Sequence, residues 1–141
     1  MKRTFGQHGM VALAGVIGVA AGIALAAAKG PTEHKGLSVE ALGKLEAGMI
    51  ERQAGLEGYM MQLRAITIEP GGQIAQHDHA NRPGLVKVIS GEWVEGRPEG
   101  EVTYSAEGKD GIREDAETDH WFYNRGDTPA TAIVCDLNPA G

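Results

Sequence analysis

Two closely spaced histidines and a distant third are the residues of this chain best suited to chemistry. His77 and His79 flank Asp78, and His120 follows in a later segment. Alternate side chains of an extended strand point to the same face, so His77 and His79 project into one space that a third imidazole can join. Imidazole is the commonest side-chain ligand of divalent transition metals. The pattern predicts a pocket with a metal site of His77, His79 and His120, and the alternative is a pocket with three metal-free histidines.

Three further side chains are candidates for the same pocket. Strand alternation places Gln73 on the face of His77 and His79, where its amide oxygen could act as a weak fourth ligand. Arg82 could reach the mouth of the pocket and hold an anionic ligand, or instead form a salt bridge that fixes a loop. Asn124 shares the face of His120 and could contact a ligand, although anchoring of the backbone is the stronger interpretation.

Four acids precede His120, and such a run usually forms a solvated loop. The alternative is that one of them orients the His120 ring. The four residues are Glu114, Asp115, Glu117 and Asp119.

The elements that must position these residues are strands. From Tyr59 onward, short alternating or apolar runs are separated by glycine and proline, as in a β-sandwich or barrel. Pro70, Gly71 and Gly72 predict a turn between a strand over Tyr59–Glu69 and the histidine strand Gln73–His79. No convincing amphipathic helix is expected after residue 28. The predicted fold class is therefore all-β, a single barrel over residues 59–141.

The N-terminus predicts export. Lys2 and Arg3 precede an apolar stretch that ends in three alanines at Ala28, as in a secretory signal with a cleavage site. A retained membrane anchor is the first alternative, because the stretch is just long enough to cross a bilayer core, and a cytosolic product is the second. Residues 29–58 are interpreted as a linker and N-terminal extension with the first strand. The barrel is thus expected in the periplasm or outside the cell, free or anchored to the inner membrane.

The charge of the chain and its cysteine content argue against several classes of function. Without residues 1–28, which contain two basic residues and no acid, 113 residues carry 11 basic and 19 acidic side chains, a net charge of −8. An acidic domain without a basic cluster argues against binding to nucleic acid or to anionic membranes. The single Cys135, within an apolar run, is expected to be a buried structural thiol.

The run Leu85–Ile89 is apolar on both faces apart from Lys87. One face can fill the barrel interior, and the other must be covered. A homodimer interface is the expected cover.

The segment from Gly71 through His77 and His79 to Gly91 resembles the first motif of the cupin superfamily, and His120 with Asn124 resembles the end of the second. It is most similar to small single-domain cupins that have Arg-Pro-Gly after the histidine pair, here at positions 82–84. The resemblance implies a conical jelly-roll-like barrel of six to eight strands, often dimeric, with a pocket inside.

In such proteins two histidines and a glutamate of the first motif, with the histidine of the second, bind Fe, Mn, Ni or Zn. His77, His79 and His120 match these positions, whereas the glutamate position holds Gly84. A site of three imidazoles suits Fe, Zn, Ni or Cu better than Mg or Ca.

Two functions follow as expectations. One is a metal-dependent enzyme for a small organic molecule, such as an oxygenase or isomerase. The other is a non-catalytic module that binds a small molecule or sugar, or acts as a sensor, without metal. The sequence contains no phosphate-binding glycine loop, serine nucleophile elbow or CxxC motif, which argues against the activities that depend on them.

Overall fold

The computed structural model describes residues 27–141, which form eight strands and one short helix. In chain order these are β1 Lys35–Leu45, α1 Ala47–Ala54, β2 Tyr59–Asp78, β3 Gly84–Ser90, β4 Glu92–Arg97, β5 Gly100–Ser105, β6 Ile112–Glu114, β7 Asp119–Tyr123 and β8 Ala130–Pro139. The expected all-β fold is confirmed. The predicted signal or anchor segment, residues 1–28, lies outside the described residues except for its last two.

The strands form one curled antiparallel sheet, a half-barrel. The order across it is β5-β4-β7-β2-β8-β3-β6, and β1 pairs with β2 off this path. Apolar side chains on the concave face form the core of the half-barrel. The buried members of this cluster are Ile68, Ile74, Val86, Val88, Trp93, Ile112, Phe122, Ala130, Ala132 and Val134.

Strand β2 is the longest element and connects the two parts of the sheet. Its first half pairs with β8 and β1, and its second half pairs with β7. The expected chain-reversing turn at residues 70–72 is not present, since β2 continues through it. Instead the strand bends, with Gly71 at a φ of 69° that favours glycine. The bend is fixed to β7 by two backbone hydrogen bonds, from Gly71 N to Asn124 O and from Asn124 N to Gly72 O.

A β-bulge in β2 decides which side chains face the interior. Ile74 pairs with Phe122 and His77 with His120, so β2 uses one residue more than β7 over this interval. The extra residue reverses the inside-outside alternation. As a result both Ile74 and His77 line the interior cavity.

The segment of residues 28–34, here called the N-terminal strap, packs against the bulge. Gln76 N donates to Pro31 O at 2.8 Å, and Gly30 N donates to the Gln76 side chain at 2.9 Å. The Ala75 N–H donates to Nδ1 of His34 at 3.0 Å. The strap therefore satisfies backbone groups that the bulge removes from the β2–β7 ladder.

Two expectations need correction. Residues 47–54 form an α-helix, α1, which buries only Ile50. Eight residues are too few for a helical pattern of apolar positions to be distinguished in the sequence. Cys135 is half-buried on the convex face rather than buried in the core. Among residues 27–141 no helix has the length and apolarity needed to cross a membrane.

Candidate metal centre

Three imidazole rings meet on the concave face where β2 and β7 pair. His77 and His120 are register partners across these strands, and His79 follows directly after β2. The ring centroids are 4.7 to 4.9 Å apart. His79 and His120 are buried, with exposed fractions of 2% and 0%. The structure thus brings together the three histidines that the sequence singled out.

The hydrogen bonds of the rings determine which nitrogen is available in each. Nδ1 of His77 contacts Ala75 O at 2.8 Å, and Nδ1 of His79 contacts Arg82 O at 2.9 Å. A carbonyl oxygen only accepts, so each Nδ1 must carry the proton and donate it. The opposite nitrogen, Nε2, then has a free lone pair directed into the cluster.

The third ring is fixed by a carboxylate. Nδ1 of His120 lies 2.7 Å from Oε1 of Glu95, and the Arg97 side chain pairs with the same oxygen at 2.8 Å. Burial opposes ionisation of Glu95, but the hydrogen bonds from His120 and Arg97 outweigh it and lower the pKa of Glu95. An ionised Glu95 accepts the Nδ1 proton, so His120 also presents Nε2 as a lone pair.

A fourth group, the carboxylate of Glu114 on β6, completes the cluster. One ligand atom from each of Glu114, His77, His79 and His120 lies within 4.8 Å of the others. Glu114 is 5% exposed, and its Oε2 has no hydrogen-bond partner within residues 27–141. Oε1 of Glu114 lies 3.6 Å from Nε2 of His120, and Oε2 lies 3.5 Å from Nδ1 of His79. A buried carboxylate beside three imidazole lone pairs could hold a divalent metal ion.

Gly84 explains how Glu114 reaches this position. The two residues are register partners in the β3–β6 pair, and a Cβ atom built on Gly84 would overlap the Glu114 carboxylate. The cupin motif carries its glutamate at the position of Gly84. In this chain the carboxylate is supplied from the neighbouring strand, into space that the missing side chain leaves free.

Burial controls protonation in the cluster. It lowers the pKa of His77 to about 4, so the ring is neutral with a free lone pair at neutral pH. It raises the pKa of Glu114 to about 7, because the charged carboxylate loses hydration without gaining hydrogen bonds. A metal ion would supply the missing partner and favour the ionised form.

The spacing also fits one ion. Nε2 of His79 and Nε2 of His120 are 3.0 Å apart. Two nitrogens bonded to one ion at about 2.1 Å are separated by about 3 Å when they subtend a right angle. Two unprotonated nitrogens this close repel each other unless a cation or a proton lies between them.

Two other side chains that the sequence proposed for the pocket, Gln73 and Asn124, do not join the histidine cluster. Gln73 is not brought to the cluster: the bulge places it on the opposite face from Ile74, and its amide donates to Glu33 O. Asn124 is buried and anchors backbone, donating to Ile68 O and Thr128 O and accepting from Gly126 N, which occupies the groups that a ligand would need.

Arg82 does line the interior cavity, together with Arg64. This cavity has a volume of about 320 Å³. One end is polar, with His77, His79 and Glu114, and the remaining wall is largely apolar. His34 of the N-terminal strap borders it as well, at a position that no sequence pattern indicated.

Two functional side chains escaped sequence reasoning. Glu114 belongs to the acidic run that is expected to form a solvated loop. In the structure it is the last residue of β6, where Ile112 and Glu114 are buried and Arg113 between them is exposed. The short strand pattern that begins at Ile112 is the signal that separates Glu114 from the loop. Glu95 lies in β4, where four consecutive residues of six are buried, so alternation of buried and exposed positions does not distinguish it.

Comparisons with known proteins identify the fold of this chain. A family model described as the Cupin domain matches residues 64–136, just over half of the chain. No curated protein matches significantly. Solved structures share the fold at low sequence identity. The cupin domain of an XRE family transcriptional regulator from Enterobacter cloacae is 18% identical with a TM-score of 0.56, over 74% of this chain and 99% of that one.

Two further neighbours are described as enzymes. A sugar phosphate isomerase of the cupin superfamily from Silicibacter pomeroyi is 22% identical, with a TM-score of 0.53 over 73% of this chain and 60% of that chain. A protein described as a predicted oxalate decarboxylase from Thermotoga maritima is 16% identical, with a TM-score of 0.56 over 76% and 91% of the two chains. At these identities the likeness establishes the fold alone.

Proposed function

Since this chain belongs to the cupin family, we propose that it is a metal-binding cupin acting on a small organic molecule in the interior cavity. The observation that carries the proposal is the convergence of three Nε2 lone pairs and the buried carboxylate of Glu114, whose Oε1 lies 3.6 Å from Nε2 of His120. Each ring is fixed through its Nδ1 by an acceptor that cannot donate. Such fixed rings lose little rotational freedom when they bind a cation.

A first-row transition metal such as Fe, Zn, Ni or Cu suits a site of three imidazoles and one carboxylate. When bound, it would supply Lewis-acid polarisation of a substrate oxygen or activation of O2. The residues of the chain hold and orient it, and Glu95 keeps His120 in the required tautomer. Glu114, as an ionised ligand, would release its proton on metal binding.

A second function, a cupin that binds its ligand without metal, is favoured by one contact. Nη2 of Arg82 lies 3.4 Å from Nε2 of His79, the nitrogen that a metal would use. In a metal-free module Arg82 and the neutral imidazoles would bind the ligand directly.

Metal analysis of the full chain after reconstitution with Fe, Zn, Ni or Cu tests the proposal. We expect stoichiometric metal in the wild type and its loss in His77→Ala. Glu107→Ala is the control, because Glu107 is exposed and lies outside the cavity. Wild-type protein that retains none of the four metals would favour the metal-free module.

Export rests on residues 1–28 and is part of the proposal. We infer a cleaved signal, with a retained anchor as the alternative. N-terminal sequencing of protein from the periplasm tests it, and an intact residue 1 in a cytosolic fraction would contradict it.

A further inference from the structure

Two guanidinium groups line the same cavity as the histidine cluster. Arg64 lies on β2 and Arg82 in the loop between β2 and β3. Their side chains are only 20% and 31% exposed. Partly buried cations beside a site for another cation are costly unless negative charge is also present.

One carboxylate of the cavity is already engaged. Asp136, fully buried, accepts a hydrogen bond from Nη2 of Arg64 at 2.7 Å. The same oxygen is 4.0 Å from Nη1 of Arg82, too far for a hydrogen bond. Within the described part of the chain Arg82 therefore has no short ion pair, and its guanidinium edge faces His79.

The charge balance of the cavity favours an anion. With a divalent ion bound, the cavity would contain that ion and two arginines, against the carboxylates of Glu114 and Asp136. The Glu95–Arg97 pair is neutral in sum. Two positive charges are then in excess, and both guanidinium groups remain partly exposed, where a ligand can reach them. A carboxylate matches the planar fork of a guanidinium and accepts two hydrogen bonds from it.

The rest of the cavity selects for an apolar body. Ile74, Trp93 and Phe122 line it, with Trp93 and Phe122 packed at a centroid distance of 5.0 Å. The Trp93 Nε1 donates to Ala130 O, so its indole presents only carbon to a ligand. An aliphatic or aromatic group is compatible with this wall, whereas a polyhydroxylated sugar finds few partners there.

We propose that the cavity binds a small organic carboxylate, with Arg82 and, behind it, Arg64 recognising the carboxylate and the apolar wall receiving its hydrocarbon part. This inference names the ligand class of the proposed function and rests on it for the excess of positive charge, since without the metal ion the two arginines face the two carboxylates of Glu114 and Asp136. Arg82 is the main determinant, because Arg64 is already paired with Asp136.

Calorimetric titration with benzoate and benzamide, which share a shape but differ in charge, tests the inference. We expect the metal-loaded wild type to bind benzoate at least about tenfold more tightly than benzamide. Arg82→Gln should lose about tenfold or more in benzoate affinity and leave benzamide unchanged. Arg82→Lys should recover part of the loss, because it restores the charge but not the fork.

Arg113→Gln is the matched control, since Arg113 is exposed, pairs with Asp115 and lies outside this cavity. Thermal melting of each variant tests whether Arg82→Gln folds like the wild type. Equal affinity for benzoate and benzamide in the wild type, or an unchanged benzoate affinity in Arg82→Gln, would overturn the inference.

Metal content measured on the same samples separates the two proposals. Benzoate binding that depends on Arg82 in protein without metal would leave the carboxylate inference standing and the metal proposal refuted. Stoichiometric metal with no preference for benzoate would do the reverse.

Discussion

At the scale of single residues, the site depends on buried groups whose partners are incomplete in the metal-free protein. Glu114 is the clearest case, because its carboxylate is buried and Oε2 is unpartnered. Its ionisation therefore costs folding free energy, and a bound cation would remove that cost.

This cost predicts a pH dependence of stability. The pKa of Glu114 rises from 4.5 in the unfolded chain to about 7 in the fold, so the folded state binds the proton more tightly. The resulting stabilisation is present below about pH 4.5 and is lost as the pH rises through 7. In the metal-free protein the group should contribute a loss of up to about 3 kcal/mol over this interval.

Urea unfolding in the presence of a chelator, at pH 5 and pH 8, measures this loss. Glu114→Gln, which cannot ionise, should lose less stability between the two pH values than the wild type. An equal loss in both proteins would show that another group is responsible. The metal affinity of the wild type should change in the opposite direction from its metal-free stability. It should increase as the pH rises through 7, because the ionised Glu114 carboxylate binds the cation.

Glu95 is predicted to act through His120. Glu95→Gln keeps an acceptor for Nδ1 but removes the negative charge that Arg97 and His120 share. We expect metal affinity to fall by about 10- to 100-fold, as for other carboxylates behind a metal-bound histidine. Competition with a chelator gives the dissociation constant. Glu101→Gln, which breaks an exposed pair with Arg125, should leave it unchanged.

At the scale of elements, the pairing of β3 with β6 places the fourth candidate ligand. Gly84 and Glu114 are partners in this pairing, and only one of the two positions has room for a side chain directed at the histidines. The carboxylate can therefore come from either strand but not from both.

An exchange of the two residues tests this arrangement. Glu114→Gly should reduce metal affinity, and Gly84→Glu alone should reduce stability because two carboxylates overlap. The double variant should regain most of the metal affinity and most of the stability. The effects of the two substitutions would then be strongly non-additive. Measurement of metal affinity and melting temperature for the four proteins gives the coupling. Additive losses would mean that the two positions do not share one site.

At the scale of the whole molecule, the convex face of the half-barrel exposes apolar side chains. Leu85 and Ile89 are 64% and 52% exposed, and Leu63 lies across β8 from Leu85, with Cys135 between them. Exposed apolar side chains that lie together can mark an interface. The homodimer expected from the sequence stays a prediction, and this face is where we place it.

Leu85→Asp is expected to convert such a dimer to a monomer, because it would bury a charge in the interface. Sedimentation velocity of the wild type and the variant measures the assembly state. Val102→Asp is the control, since Val102 is similarly exposed on β5 at the other edge of the sheet order. A wild type that sediments as a monomer at high concentration would contradict the prediction.

The sequence by itself determined the all-β class and the common face of His77 and His79. Both depend on local features, namely strand alternation, turn residues and motif spacing, which act over a few neighbouring positions. The match to the cupin motifs supplied the long-range pairing that spacing alone does not provide.

Only the tertiary structure decided that Glu114 joins the histidines and that Gln73 does not. Glu114 depends on the cross-strand register of β3 and β6, and Gln73 on a bulge whose extra residue reverses the strand faces. Register and bulges are set by contacts between segments far apart in the chain, including the N-terminal strap. The same long-range packing gives Glu95, Arg64 and Arg82 their positions at the site.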